Sequence, residues 1–324
     1  MTRLQANFLL LLAALFWGGG NVAQKTVLED LGPLTTVGLR CLIGALVLLP
    51  LMLRDGPASS NFAKSSRRQL ALSVVLFALA IGSQQVAYAG TSVTNASFLI
   101  TTTIVMTPFT AWLLFRERPA AILWPASALT LFGVFLLGGG ALSSISWGDL
   151  ACFISAAFYS AWIVVLGRLV ARTKRPGLIT LVQFILAGTL CFAAGVATEP
   201  VTLAALEGAA PELLVLGIFS TGLAYVFQAV AQQHTPASVA AIIMSAESVF
   251  GALGGAWLLG EQLGLAAGIG ASLIMAAVLM VQVDPVPPTK HLVTAIIHSL
   301  RARQRGAQLS QHSRALPMGR GHRF

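Results

Sequence analysis

Charge is what this chain has least of. Only 10% of its 324 residues are Asp, Glu, Lys or Arg, and 56% are hydrophobic, too little polar surface to clothe a water-soluble domain. Cysteine is nearly missing. Cys41, Cys152 and Cys191 fall inside apolar stretches at no metal-ligand spacing and read as small core residues. The five histidines, His234, His291, His298, His312 and His322, show no zinc spacing either, and no serine stands in a nucleophile-elbow pattern. The run Gly19 to Thr26 ends in Lys-Thr like a phosphate loop, but Gln24 occupies the position of a required glycine and no strand precedes it, so ATP-driven pumping is not expected. Neither a metal nor a cofactor is implied. Acid and base groups are too few inside the apolar segments for a membrane-embedded enzyme.

What the chain does have is ten apolar stretches: Ala6 to Gln24, Leu34 to Leu53, Leu70 to Tyr88, Ala96 to Phe115, Ala121 to Gly139, Leu150 to Val170, Leu178 to Ala197, Leu213 to Ala231, Ala237 to Leu259 and Leu265 to Gln282. At about 1.5 Å per residue, each spans a hydrocarbon core of roughly 30 Å as a helix that satisfies its own backbone hydrogen bonds. The expected fold is an all-α membrane protein of ten transmembrane helices. Helix 1 is too long for a signal peptide and takes part in an internal repeat, so it is expected to be retained.

Basic residues are distributed with a strong bias. Of 20 Lys and Arg, 18 fall at the N-terminal tip (Arg3), after helix 2 (Arg54, Lys64, Arg67, Arg68), after helix 4 (Arg116, Arg118), after helix 6 (Arg168, Arg172, Lys174, Arg175) or in the tail from Lys290 to Arg323. Lys25 and Arg40 are the exceptions. Because positive loops stay in the cytoplasm during insertion, both termini are expected to be cytoplasmic, in a bacterial inner membrane. The loop after helix 7 carries Glu199, Glu207 and Glu212, as an outer loop can. The net charge of +9 sits at membrane edges rather than on one aromatic-studded face, which excludes a nucleic-acid partner. His291 to Phe324 forms a basic tail whose start, Leu292 to Leu300, has helical apolar spacing and suits either an interfacial helix or a disordered segment.

The chain also repeats itself. Ala14-Leu15-Phe16-Trp17 returns at a shift of 142 as Ala156-Ala157-Phe158-Tyr159. At a shift of 143, Pro33 meets Pro176 and Arg40 meets Gln183; Gly82 meets Gly222 at 140, and Thr94 to Ser97 meets Thr235 to Ser238 at 141. Each half ends its fourth helix near a Glu, Glu117 and Glu261. Five segments per half is an odd number, so two such copies enter the bilayer in opposite directions, the inverted repeat found in secondary transporters. The expected organisation is residues 1–143 for helices 1 to 5, residues 144–284 for helices 6 to 10, and residues 285–324 for the tail.

The stretches AALFWGGGNV in helix 1, PLTTVGLRCLIGALVLL in helix 2 and TGLAYVFQAVAQQHTPASVAAIIMSAESVFGALGGAWLLGEQL across helices 8 and 9 resemble the EamA branch of the drug/metabolite transporter superfamily. The resemblance covers residues 6 to 283 and implies ten helices in two inverted repeats, transport by alternating access and export. Two departures stand out. The Glu-Pro pair of the family's fourth helix is split here into Thr107-Pro108 and Glu247-Ser248, and Ser97 to Glu117 is three residues shorter than Ser238 to Glu261.

Polar side chains are costly in lipid, so those that remain either line a cavity or tie helices together. Trp17, Asn21 and Gln24 form one stripe of helix 1, Tyr159 and Trp162 one of helix 6, and Tyr225, Gln228 and Gln232 one of helix 8; Gln84, Gln85 and Tyr88 cluster on helix 3. Together they predict an aromatic, amide-rich pocket suited to a small zwitterionic or neutral molecule such as an amino acid, recognised loosely. Ionisable groups deep in the apolar segments are two. Glu247 suits proton exchange, a substrate ammonium, an internal ion pair or a hydrogen bond to neighbouring helices; Arg40, roughly 10 Å into helix 2, suits a carboxylate or snorkels outward. Gly18, Gly19 and Gly20, together with Pro108, supply either hinges or close packing. The chain is thus expected to be an exporter of amino acids, aromatic ones included, or similar metabolites; a drug or organic-cation extruder of the same superfamily and a passive channel are the competing readings.

Overall fold

The computed structural model describes residues 1–54, 64–140, 146–259 and 262–283. Glu261, the boundary at residues 143 and 144, and the tail 285–324 with its candidate interfacial helix lie outside the described residues. Those described are helical, with no strand among them, and the apolar segments of the sequence become α1 (Arg3–Thr26), α2 (Pro33–Arg54), α3 (Lys64–Gly90), α4 (Val93–Thr101 and Thr103–Phe115), α5 (Leu123–Leu137), α6 (Trp147–Thr173), α7 (Pro176–Thr198), α8 (Ala210–Ala231), α9 (Ala237–Met244 and Glu247–Leu259) and α10 (Leu265–Val283). Among the described residues nine helices are long and apolar enough to cross a membrane; α5, at 15 residues, is the short one. It spans about 22 Å. Two glycines in the left-handed region end it, Gly139 (φ 91°) and Gly140 (φ 72°), with the Gly140 amide bonded back to Phe135 O.

Polar groups at helix ends are capped from within the chain. Thr2 and Gln5 form a reciprocal capping box on α1, and Ser146 and Asp149 form another on α6. The Glu199 carboxylate accepts the Leu34 and Thr35 amides and the Thr35 hydroxyl, closing the N-terminus of α2 where backbone N–H groups favour an anion. Lys25, one of the two exceptions to the charge bias, donates from Nζ to the carbonyls of Tyr88 and Thr91 at 2.6 and 3.2 Å. A cation belongs at that helix C-terminus.

α4 and α9 are both interrupted. In α4 three consecutive threonines turn their hydroxyls back onto the preceding turn, Thr101 to Ser97 O, Thr102 to Leu99 O and Thr103 to Ile100 O, and the helix breaks at Thr102. Hydroxyls that bond their own backbone weaken a helix locally. The break lies upstream of Pro108, which sits inside the second half-helix. In α9 the Ser245 hydroxyl bonds Ile242 O, Ala246 and Ser248 use the tighter i−3 pattern, and the helix breaks at Ser245 and Ala246. In α8, residues Val215–Leu223 are π-helical, a form that is rare and concentrated at functional sites.

The helices pack in reciprocal pairs. α3 lies on α6 and α1 on α8; the second half of α4 meets α6 and the second half of α9 meets α1; α2 packs on α7, and α5 on α10. Glycines allow the closest approaches. A Cβ on Gly133 would lie 2.7 Å from Gly270 O, and a Cβ on Gly38 would meet the backbone of Phe192 at 2.5 Å. Large apolar side chains such as Leu113, Trp257 and Leu265 stand exposed on the outside of the bundle, as lipid contact requires.

Candidate functional site

At the centre of the bundle a cavity of about 680 Å³, counting its open part, is lined from α1, α2, α3, α4, α6, α8 and α9. Of the residues singled out in the sequence, the cavity wall includes Trp17, Asn21, Gln84, Tyr159, Trp162, Tyr225, Gln228, Arg40 and Glu247. Gln85, Tyr88 and Gln232 are not on it. Gln85 is buried and donates to the main-chain carbonyl of Gln24 at 2.8 Å, and Gln232 donates to Ile163 O at 3.1 Å while receiving Gln228 Nε2 at 3.4 Å. Tyr88 packs with Ala87, Ala96 and Cys152. These three tie helices together and orient the wall behind it.

Aromatic rings set the shape of one side. Tyr225 is the hub: Trp17 and Phe77 approach it at 5.1 Å between centroids, Trp162 at 5.5 Å and Phe184 at 6.0 Å, all close to edge-on. Edge-to-face pairs of this kind contribute about 0.5–1.5 kcal/mol each beyond area burial. The hydroxyls of Tyr159 and Tyr225 are 3.0 Å apart, and Tyr159 donates to Gln84 Oε1 at 2.8 Å, so α3, α6 and α8 share one hydrogen-bonded chain. The Trp17 indole N–H donates to Ser220 O.

Two polar atoms of residues on this wall, Trp162 Nε1 and Gln228 Oε1, are buried and make no hydrogen bond to any described residue. One is a donor and the other an acceptor, and a buried polar atom left unpaired costs about 1–3 kcal/mol.

Arg40 does not snorkel. It is 1% exposed, and its Nε, Nη1 and Nη2 groups donate to Thr221 Oγ1 at 2.8 Å, Gln24 Oε1 at 3.1 Å and Ser220 Oγ at 3.3 Å. Both hydroxyl acceptors belong to the π-helical stretch of α8. Glu247 begins the second half of α9, immediately after the break, and lines the cavity, and its carboxylate makes no hydrogen bond to any described residue. Arg40 and Glu247 form no ion pair with each other; an ion pair at 3.7 Å joins Arg168 to Glu117 at helix ends.

The three glycines after Trp17 differ in their surroundings. A Cβ on Gly18 would sit 2.5 Å from Glu247 O and 2.7 Å from Gly251 N, so Gly18 lets α1 lie against the backbone of α9. Gly20 faces Ser220 at 3.1 Å, and Gly19 faces open space. Sequence reasoning left out part of the wall: Ile100, Thr101, Thr103 and Ile104 from α4, Ile163 from α6, and Ala241, Met244 and Ser245 from α9. Apart from the hydroxyls these are ordinary core residue types; the visible signal was the threonine run beside Ile100 and Ile104.

Comparison with known proteins gives the same architecture a lineage. An uncharacterized transporter of Archaeoglobus fulgidus is 28% identical over 283 residues, covering 86% of this chain and 86% of its own length. The uncharacterized transporter YwfM of Bacillus subtilis is 24% identical over 287 residues, covering 86% of this chain and 94% of its own length. A solved crystal structure superposes with a TM-score of 0.73 at 16% identity, over 85% of this chain and 95% of that one, a likeness of fold. The EamA-like transporter family matches residues 4–139 and again 146–283, nearly all of the helical bundle, and the chain belongs to that family of multi-pass membrane transporters.

Proposed function

We propose that this transporter is a secondary exporter of amino acids, aromatic ones included, working with loose specificity by alternating access. The observation that carries the reading is the central cavity, which both family-matched stretches line with aromatic rings and amides. Trp17, Tyr159, Trp162 and Tyr225 offer faces and edges to an apolar side chain, while Asn21, Gln24, Gln84 and Gln228 exchange hydrogen bonds with a zwitterion without the full desolvation cost of fixed charges. Outward direction is carried from the family resemblance.

Alternating access rests on two inverted five-helix repeats, residues 1–143 and 144–284. The reciprocal packing of α3 on α6 and α1 on α8, and of α2 on α7, is what such a pseudo-two-fold arrangement produces. So are the paired interruptions of α4 and α9. An even number of crossings is supported by Arg3, which donates to Val281 O at 3.2 Å and so brings the start of α1 beside the end of α10. With the basic loops inside, that face is the cytoplasmic one, in a bacterial inner membrane.

A second reading is favoured by Glu247: an unpaired carboxylate in an aromatic chamber also suits an organic cation. Proteoliposomes loaded with labelled amino acids separate the two. Flux of phenylalanine and leucine is expected; flux of organic cations alone supports the extruder, flux of unselected ions supports a channel, and no amino-acid flux at all rejects the exporter.

A further inference from the structure

Arg40 carries a charge that the architecture does not need. Its three nitrogen groups meet only neutral oxygens, on Thr221, Gln24 and Ser220, and no acidic side chain of the described residues lies within ion-pairing distance. The repeat supplies an internal control. Under the shift of 143 that relates α2 to α7, Arg40 corresponds to Gln183, which is equally buried and donates from Nε2 to Ser73 on α3. Arg40 in turn donates to α8, the counterpart of α3. A neutral amide therefore ties the same two helices in the other half, and the guanidinium charge is surplus to that task.

Arg40 lines the cavity, and its partner Gln24 lines it too, donating from Nε2 to Asn21 Oδ1 at 3.1 Å. Three bonds leave two of the five guanidinium N–H donors uncommitted. A carboxylate pairs with guanidinium N–H groups in a charge-assisted and directional way. A buried guanidinium that lacks an acidic partner favours an anion supplied by a bound molecule.

We propose that Arg40, with Gln24 and Asn21 beside it, is the anion subsite of the cavity and that a free carboxylate on the substrate is required for recognition. This deepens the transport reading above and rests on it. It separates amino acids from organic cations: removal of the carboxylate weakens recognition at least about tenfold, whereas removal of the amine does not.

The test uses three molecules that share one ring and differ only at the charged end: phenylalanine, phenylalanine amide and 3-phenylpropionate. Each competes against labelled phenylalanine in counterflow by proteoliposomes of the full chain. In wild type, phenylalanine and 3-phenylpropionate are expected to compete at least about tenfold better than the amide. Arg40→Gln, which copies the other half, should keep the thermal midpoint and lose that preference; Arg40→Lys, which keeps the charge, should retain it. Equal competition by phenylalanine and its amide in wild type overturns the proposal, as does a carboxylate preference that survives Arg40→Gln or disappears in Arg40→Lys. If no labelled amino acid moves, the transport reading fails on its own. The same three molecules are then read by quenching of tryptophan fluorescence in purified protein, where carboxylate-selective quenching lost in Arg40→Gln keeps the subsite and unselective or absent quenching removes it.

Discussion

The indole N–H of Trp17 on α1 donates to the main-chain carbonyl of Ser220 on α8, 2.9 Å away. In a regular helix that carbonyl would receive the amide of Ala224, but here the Ala224 amide bonds to Phe219 O and Thr221 O instead. The π-helical stretch thus presents a main-chain acceptor to Trp17 and two hydroxyls, of Ser220 and Thr221, to Arg40. One local irregularity fixes two side chains of the cavity wall.

Replacing that indole tests the arrangement directly. Trp17→Phe keeps a ring against Tyr225 but leaves Ser220 O with no indole donor, and should destabilise the protein by about 1–2 kcal/mol, seen as a lower thermal midpoint. The ring is then free to tilt into the chamber. Substrate affinity should fall by more than the stability loss alone explains, and unchanged affinity together with an unchanged midpoint would mean the bond contributes nothing.

Neighbouring glycines should respond in opposite ways. At Gly18 a methyl group meets the backbone of α9, at Glu247 O and Gly251 N, so Gly18→Ala must push two helices apart. The expected penalty is about 1–3 kcal/mol with loss of transport. Gly19 has no atom within 4 Å of the added Cβ, and Gly19→Ala should be silent or slightly stabilising, since alanine is the better helix former. Equal thermal midpoints for the two variants would argue against close packing at Gly18.

Much of this was legible in the sequence because lipid is an unforgiving solvent. Polar residues kept on an otherwise apolar stripe must have a reason; the stripes Trp17-Asn21-Gln24 and Tyr159-Trp162 line the cavity, as do Tyr225 and Gln228 of the stripe Tyr225-Gln228-Gln232, whose Gln232 does not. The stripe rule could not say which polar residue points inward and which ties helices, because both uses satisfy the same energetic demand; Gln84 lines the chamber while Gln85 beside it holds Gln24 O. Helix breaks were less visible. Pro108 marked α4 as irregular, yet the interruption falls at Thr102, where hydroxyl back-bonding competes with the helix, and the π-helical turns of α8 have no composition of their own.

Two contacts at opposite ends of the bundle should differ in strength. Asp149 at the start of α6 accepts from Thr91 Oγ1 at 2.5 Å, from Asn95 Nδ2 at 3.2 Å and from the Ser146 amide at 2.8 Å. Its position under the repeat shift of 142 is Asn7, at the start of α1, which accepts from Thr235 Oγ1 at 2.9 Å. Hydrogen bonds to an ionised group are worth roughly twice neutral ones. Asp149→Ala should therefore cost about 2–4 kcal/mol and Asn7→Ala about 1 kcal/mol, with faster amide exchange in residues 91–97 only in the former. Similar losses in both would show that the carboxylate charge adds nothing.

Glu247 is the remaining ionisable group on the cavity wall, and its environment sets it apart from Arg40. The guanidinium is held by three side chains, whereas the carboxylate has no described hydrogen-bond partner and opens onto the chamber at the first turn of a half-helix. An intramembrane carboxylate at a helix start is the kind of group that the proposed alternating-access cycle would use for proton coupling. If it carries the coupling proton, a pH gradient should drive phenylalanine flux in wild type, while Glu247→Gln should exchange phenylalanine across equal pools yet gain nothing from the gradient. The comparison separates coupling from binding, because a residue needed only to hold the substrate ammonium would lower exchange and gradient-driven flux together. Flux in Glu247→Gln that still rises with the gradient would remove Glu247 from the coupling step.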